Sequence, residues 1–277
     1  MESEQRDFVN GLLDAIPPGL AVTAIAAGFY HTCALTSSGG IKCWGDNRKR
    51  QLGDGTTTDR STPVEVHGLT SEVTAIAAGG YHTCALTSSG GVKCWGLNRN
   101  SQLGEGTTAR RTKPVDVKGL SREVSSIAAG FYHTCALTSV GGIKCWGDNR
   151  YSQLSDGTTT AYRTKPVDVE GLSRGVSAIA AGYLHNCALL NAGGVKCWGD
   201  NRNSQLGVGT TARHTKPVNV HGLTRGVSAI AAGFHHTCAL TSAGGVKCWG
   251  ENLNGQLGDG TTANRPTPVD VEALNSF

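Results

Sequence analysis

The stretch AIAAGFYHTCALTSSGGIKCWG, residues 24–45, decides the fold because it recurs along this chain of 277 residues. Its closing tetrapeptide KCWG begins at Lys42, Lys93, Lys144, Lys196 and Lys247, so successive copies are 51, 51, 52 and 51 residues apart. Five copies therefore cover about residues 21–274, nearly the whole chain. Because a period of about 40 to 50 residues with several short strands is typical of propeller blades, the repeat predicts a β-propeller.

Each copy divides into four strand candidates, which in the first copy are Val22–Ala27, His31–Thr36, Ile41–Trp44 and Pro63–Val66. The turn Ser37–Gly40 favours a hairpin, since glycine adopts positive φ easily. The small side chains of the first strand suit the crowded centre of a propeller. Proline cannot donate a ladder hydrogen bond, which places the last strand at the outer edge. The sequence thus predicts an all-β propeller of five four-stranded blades.

The domain organisation follows from the repeat. Residues 1–20 lie outside it, and Ser3 with the apolar face of Phe8, Leu12 and Ile16 predicts a short helix there that ends before Pro17. This segment is expected to be a helical cap on one end of the propeller or a docking segment. The propeller itself spans residues 21–277, with repeats at about 21–71, 72–122, 123–174, 175–225 and 226–277.

Composition and charge narrow the classes of partner. The formal net charge is only +4, far below the charge density of a chain held on nucleic acid through phosphates, so nucleic acid is not expected as a partner. No apolar stretch is long enough for a membrane-spanning helix. The first twenty residues lack the basic start and apolar run of a signal peptide. No catalytic constellation, metal site or cofactor motif stands apart from the repeat, which predicts a protein that is not an enzyme and carries no cofactor.

The cysteines form five pairs, one in each repeat, with the two members ten residues apart. In a hairpin centred on Ser38 the two members lie opposite each other on adjacent strands, within reach of a disulfide. Complete pairing favours disulfides over reduced cysteines that act as small core residues, and the spacing does not resemble a zinc knuckle. Oxidised pairs imply a secreted or cell-envelope location, whereas reduced pairs imply the cytoplasm. The predicted disulfides are Cys33–Cys43, Cys84–Cys94, Cys135–Cys145, Cys187–Cys197 and Cys238–Cys248.

Two further positions repeat in every copy. The tryptophan of KCWG is expected to fill the gap between adjacent blades. The histidine that opens the second strand, His31 in the first copy, would form a ring around the axis. A histidine ring can bind metal or sense pH, but we expect each histidine to hold its own turn through a backbone hydrogen bond.

The stretch quoted above is followed in each copy by a segment like that of Asn47 and Gln51-Leu52-Gly53. With this segment the repeat resembles that of the regulator-of-chromosome-condensation family, in the variant with CAL and KCW that resembles its bacterial members. The resemblance implies a β-propeller, usually of seven blades. Five repeats would either close a ring by themselves or leave it open for another chain to complete. The residues that carry the resemblance are Gly28, His31, Ala34-Leu35-Thr36, Trp44-Gly45, Asn47 and Gln51-Leu52-Gly53, with their counterparts in the other copies.

Positions that vary between copies are the better candidates for function. Two residues follow each AAG, and most are aromatic, the side chains that dominate binding hot spots. They would contact a partner or plug the central channel. A second loop carries arginines, with acidic residues two positions earlier that can neutralise them; if free, these arginines would suit an acidic protein patch. The candidate binding residues are Phe29, Tyr30, Tyr81, Phe131, Tyr132, Tyr183, Leu184, Phe234, His235, Arg48, Arg99, Arg150, Tyr151 and Arg202.

The leading hypothesis is a non-catalytic interaction scaffold or inhibitor that binds a protein through this loop face. The resemblance implies an alternative, guanine-nucleotide exchange on a small GTPase, but the family's exchange factor uses a β-wedge and no long insertion here could form one. A third hypothesis is a structural component of a surface assembly, in which an open ring allows copies of the chain to join as a homo-oligomer.

Overall fold

The structure, a computed structural model, describes residues 21–158 and 160–274. These residues form twenty strands in five antiparallel sheets of four, which confirms the predicted all-β propeller of five blades. The predicted N-terminal helix lies outside the described residues. The strands of blades one to five, in order, are β1 Val22–Ala27, β2 His31–Thr36, β3 Ile41–Gly45, β4 Arg60–Glu65; β5 Val73–Ala78, β6 His82–Thr87, β7 Val92–Gly96, β8 Arg111–Asp116; β9 Val124–Ala129, β10 His133–Thr138, β11 Ile143–Asp148, β12 Tyr162–Asp168; β13 Val176–Ala181, β14 His185–Leu190, β15 Val195–Gly199, β16 His214–Asn219; β17 Val227–Ala232, β18 His236–Thr241, β19 Val246–Gly250 and β20 Arg265–Asp270.

The first three strands of each blade lie where the pattern predicts them, but the fourth begins earlier. In blade one it starts at Arg60, three residues before Pro63. The ladder to β3 pairs Gly45 with Arg60 and Cys43 with Val64, with an irregularity between the two pairs. The proline therefore lies within the outermost strand, at a break in the ladder where a missing N–H is tolerated.

Each blade presents two different faces. In the β2–β3 hairpin, Cys33 lies opposite Cys43 and Thr32 lies opposite Trp44, so the two pairs point to opposite sides of the sheet. We call the side with Cys33, Cys43 and Leu35 the cysteine face, and the side with Thr32, Trp44 and Ile25 the tryptophan face. The corresponding residues of every other blade carry the same names.

The core lies between blades. The first apolar cluster joins Leu35 and Ile41 on the cysteine face of blade one to Val73, Ala85 and Trp95 on the tryptophan face of blade two. Equivalent clusters follow at the next three interfaces. Trp95, Trp146, Trp198 and Trp249 are completely buried, which confirms that the tryptophans fill the gaps between adjacent blades.

Buried hydrogen bonds join the blades as well. His31 Nε2 lies 2.8 Å from Thr83 Oγ1 of blade two, and Thr83 Oγ1 donates to the carbonyl oxygen of Gln51 at 2.8 Å. Trp95 Nε1 donates to the same carbonyl at 2.9 Å. The histidine side chain thus bonds the next blade, not its own turn, and the expectation of a backbone hydrogen bond within the turn is wrong on this point.

The third interface fixes the tautomer of these histidines. There an asparagine replaces the threonine, and His133 Nε2 lies 2.9 Å from Asn186 Oδ1, an atom that can only accept. The histidine is therefore protonated on Nε2. Its Nδ1 is buried without a partner, as are the Nδ1 atoms of His31, His82 and His185.

The glycine before each histidine is required by close packing. A Cβ at Gly28 would overlap the His31 ring and lie 2.7 Å from the carbonyl oxygen of Gly79 in the next blade. Glycine is therefore needed at this position so that the histidine ring and the next blade can pack closely against the backbone.

All five predicted disulfides are present, and the described residues contain no free cysteine. Each joins the second and third strands of its blade, with 4.1 Å between the two Cα atoms in blade one. On the chain-entropy estimate, closing so short a loop contributes at most about 3 kcal/mol for each bond.

The end blades differ from the interior ones. On the tryptophan face of blade one, Val22 is 56% and Ile25 74% exposed, whereas Val73 in the same position of blade two is 5% exposed. On the cysteine face of blade five, Leu240 is 40% exposed, against 5% for Leu35 in blade one. The described residues of blades five and one therefore do not bury these faces against each other, and the ring is open between them.

Candidate functional site

Two loops of every blade meet at one end of the propeller. The first follows AAG and carries the aromatic residues; the second follows the third strand and carries the arginines. In blade one the backbone N–H of Asp46 donates to the carbonyl oxygen of Tyr30 at 2.8 Å, and each other blade has the equivalent bond. The predicted aromatic and arginine positions thus lie on a single surface, which we call the loop face.

The aromatic side chains converge on the axis although they come from different blades. Phe29 and Phe131 have ring centroids 5.2 Å apart, and Phe131 and Phe234 are 5.9 Å apart. Tyr183 stacks on Phe234 at 4.0 Å, and Tyr81 meets Phe131 edge to face at 5.4 Å. Offset and edge-to-face pairs at these separations are the favourable arrangements. One aromatic cluster therefore forms from residues about 50 positions apart in the sequence.

The cluster both fills the centre and remains accessible. Phe29, Tyr30 and Phe234 are 44% to 55% exposed, while Phe131 and Tyr183 are half-buried. A shallow cavity of about 190 Å³ lies at the axis and is lined by the phenylalanines and by the AAG residues of all five blades. The candidate Leu184 is buried, at 4% exposure, and packs into the protein below this surface. The accessible rings offer a rigid apolar surface suited to contact with a protein.

Three of the arginines are neutralised by the acidic residue two positions earlier. Arg48 bonds Asp46, Arg150 bonds Asp148 and Arg202 bonds Asp200. Burial alone would raise the pKa of the Asp46 carboxyl, but hydrogen bonds from Arg48 hold it below its usual value. The same bond raises the pKa of the Arg48 guanidinium. These pairs place fixed dipoles around the rim and carry no net charge.

Two blades depart from this pattern. In blade two Leu97 replaces the aspartate, so the exposed Arg99 has no acidic partner among the described residues. Burial raises the pKa of Tyr132, and the nearby Arg99 and Arg150 oppose this shift without reversing it. In blade five Glu251 precedes Leu253, which is 67% exposed. Tyr151 of blade three packs under the guanidinium of Arg202, with 4.6 Å from Arg202 Cζ to the ring centroid.

The loop face therefore carries an uncompensated cation at blade two and an acidic residue at blade five. The sequence predicted that acidic residues two positions earlier can neutralise the arginines, but it did not set Arg99 apart from the others. Comparison of Leu97 with Asp46, Asp148 and Asp200 is the signal that separates Arg99 from the others.

The described residues lack two other kinds of site or segment. Across residues 21–158 and 160–274, no group of three or more histidine, cysteine, aspartate or glutamate side chains is placed to hold a metal ion. Within the same ranges, no helix has the length and apolar character needed to cross a membrane.

Sequence comparison finds one family across the chain. The family model for the RCC1-like domain matches residues 3–277. The ultraviolet-B receptor UVR8 of Arabidopsis thaliana is 34% identical over 261 residues, which is 93% of this chain and 59% of the receptor. The chain thus spans about three fifths of that relative.

Two solved structures show the same fold. Human WBSCR16 superimposes with a TM-score of 0.80 at 26% identity, over 90% of this chain and 67% of that one. Yeast RCC1 (Prp20), in its complex with Kap60, gives a TM-score of 0.81 at 25% identity, over 92% of this chain and 62% of that one.

Proposed function

The chain belongs to the family of RCC1-like domains, and we propose that it is a non-catalytic β-propeller that binds a protein through the loop face. The observation that carries this proposal is the convergence of aromatic side chains from all five blades on one exposed surface. A relative supports the kind of partner, since yeast Prp20 is a propeller of this family with a protein bound. Five disulfides further favour an oxidising location for the protein, either secreted or in the cell envelope.

The loop face also has the composition of a protein-binding surface. Interfaces are enriched in tyrosine, phenylalanine and arginine, and their energy is concentrated in a few aromatic anchors. Tyr30 and Phe234 are the most suitable anchors, because both are exposed and both are held by neighbouring rings. Arg99 is the one arginine of the candidate set that would attract an acidic group, since Arg48, Arg150 and Arg202 are already paired.

Affinity capture from the source organism, followed by identification of what binds, tests the proposal. The chain, the double variant Tyr30→Ala/Phe234→Ala and the control Tyr162→Ala would be immobilised in parallel. Tyr162 is 44% exposed and begins the outermost strand of blade three, opposite Asp148. The control therefore removes a ring of similar exposure that lies at the outer rim and not in the aromatic cluster. Capture by the chain and the control, with loss in the double variant, supports the proposal. Equal capture by all three contradicts it.

A nucleotide-release assay separates this role from that of an exchange factor. The chain would be added to candidate small GTPases carrying a fluorescent nucleotide. Under the proposed function the release rate stays at its intrinsic value. Acceleration that disappears in the Tyr30→Ala/Phe234→Ala variant would identify the loop face as the surface of an exchange factor instead.

A further inference from the structure

The open ring leaves two unlike faces uncovered: the cysteine face of blade five and the tryptophan face of blade one. Each has an apolar surface that interior blades bury. Ile25 is 74% exposed and Leu240 40% exposed, whereas Leu86, Leu137 and Leu189, the counterparts of Leu240, are 4% to 5% exposed. These faces lie between the blades, so they are distinct from the loop face and independent of its proposed function.

The hydrogen-bonding groups of the two faces are also uncovered. At each interior interface a histidine and a glutamine carbonyl on one blade meet a threonine or asparagine and a tryptophan on the next. Blade five offers His236 and the carbonyl of Gln256, and blade one offers Thr32 and Trp44. None of these four groups makes the inter-blade bond among the described residues, and Trp44 is partly exposed.

The two faces border the same opening in the ring. Phe29 of blade one and Phe234 of blade five approach each other at the axis, with ring centroids 6.4 Å apart. The loops of the two blades therefore approach each other at the axis, while Ile25 on β1 and Leu240 on β18 remain uncovered. An occupant has to present different chemistry on its two sides.

We infer that this opening is a docking site for blades of the same repeat, carried by a separate polypeptide. Such a blade presents a threonine and a tryptophan to the cysteine face of blade five. On its other side it presents a histidine and a glutamine carbonyl to the tryptophan face of blade one. The same interface is already built four times within this chain, with buried side chains and bonds of 2.7 to 2.9 Å. The groups that an occupant has to present are therefore known for both of its surfaces.

A two-repeat polypeptide with the sequence of residues 123–225 is the probe. It would be mixed with the full chain, and complex formation would be followed by analytical ultracentrifugation. Hydrogen exchange would report protection of β1 and β18, the strands that carry Ile25 and Leu240. We expect a one-to-one complex in which both strands become protected. A second chain, in which residues 123–225 are repeated after residue 277, provides the same blades without the need for association.

Point variants locate the site. Ile25→Arg and Leu240→Arg in the full chain should each weaken binding of the probe by at least about tenfold, because a buried arginine without a partner is costly. Val140→Arg is the control, since Val140 is 75% exposed on a turn of blade three, away from the opening. Equal binding by all three variants would overturn the placement.

The remaining outcomes also decide the inference. Protection of β1 and β18 in the chain alone would overturn it, with a dimeric mass indicating a second copy and a monomeric mass indicating the chain's own residues 1–20 as occupant. Protection only in the extended chain would show that the faces accept blades solely from the same polypeptide. Absence of protection in both the mixture and the extended chain would refute the docking site altogether.

Discussion

The interior interfaces and the open end faces are built from the same residues in different surroundings. Between blades two and three, Trp146 is completely buried and donates to the carbonyl of Gln102 at 2.9 Å. On blade one, Trp44 has the same sequence neighbours but is partly exposed and lacks that acceptor. The difference shows that the repeat specifies what an interface would contain, while the neighbouring blade determines whether the interface exists.

The same comparison explains why the histidines differ. His82 is completely buried, and burial lowers its pKa to about 3, with smaller contributions from His133 and His31. Burial also lowers the pKa of His31, to about 4, and that of His185, to about 3. His236, on the open face, is only half-buried, and its pKa falls in the same direction for the same reason. The interior interfaces should therefore be the acid-sensitive part of the molecule.

The largest expected effect is acid destabilisation. His31, His82 and His185 stay neutral in the folded protein down to about pH 4 or 3, whereas in the unfolded chain each takes up a proton as the pH falls through 6.5. The free energy of unfolding is therefore highest above pH 6.5 and falls between pH 6.5 and 4. Each proton taken up only on unfolding contributes a slope of up to about 1.4 kcal/mol per pH unit.

Denaturant unfolding at a series of pH values measures this slope. His82→Gln should reduce it, because glutamine keeps a donor for Thr134 without a titrating group, and His236→Gln should reduce it less. Equal slopes in the two variants would contradict the distinction between interior and end faces.

Truncation of tryptophan has the next largest effect. Trp146→Ala should lower the free energy of unfolding by about 3–5 kcal/mol, because it removes a fully buried ring and an inter-blade hydrogen bond. Trp44→Ala should lower it by only about 1–2 kcal/mol, since part of that ring is already exposed to water. Urea unfolding of both variants checks the difference. Equal losses would indicate that the tryptophan face of blade one is covered in solution.

Removal of a single hydroxyl gives a smaller contrast. Thr134 Oγ1 lies 2.8 Å from His82 Nε2 and donates to the carbonyl of Gln102 at 2.9 Å. Thr134→Val keeps the shape but leaves the buried His82 donor unpaired, at a cost of about 1–3 kcal/mol. Thr32→Val changes the matching position on the end face and should cost less than about 0.5 kcal/mol. Thermal unfolding of the two variants measures this difference. Equal decreases in Tm would contradict the distinction between interior and end faces.

The smallest expected effect concerns the order of disulfide reduction. Cys238, on the end face, is partly exposed, whereas both cysteines of the other four pairs are completely buried. Under native conditions with graded reductant, Cys238–Cys248 should therefore be reduced first, as seen by alkylation and peptide mapping. Without reductant, thiol titration of the denatured chain should find no free thiol. Reduction of all five bonds at one rate would show that access depends on unfolding of the whole propeller.

Much of each blade could be predicted from sequence because its determinants are local. Alternating residues and glycine turns placed the first three strands, and the separation of Cys33 and Cys43 within one hairpin placed the disulfide. The start of the fourth strand was missed, because its ladder tolerates an irregularity beside Pro63 that pattern reasoning treats as a boundary. The histidine partner was missed because it lies 52 residues away, in the next blade.

The candidate site was predictable only in outline. The varying positions after AAG were identified from the repeat, and the structure brings most of them into one cluster. Leu184 could not be separated from its aromatic counterparts, because its burial depends on packing beneath the loop. The pairing of arginine with the acidic residue two positions earlier was predicted from the sequence, and Arg150 with Asp148 shows it. Arg99 was nevertheless grouped with the paired arginines, although Leu97 stands where they have aspartate.

The sequence by itself determined the unit of this protein: its five copies, the first three strands of each copy and the paired cysteines. These follow from contacts within about 15 residues, which depend on side-chain alternation and turn chemistry. Only the tertiary structure decided which faces are covered, which histidines are buried and that blades five and one leave an opening between them. Burial depends on which distant segments come together, so Trp44 and Trp146, alike in sequence, have different surroundings.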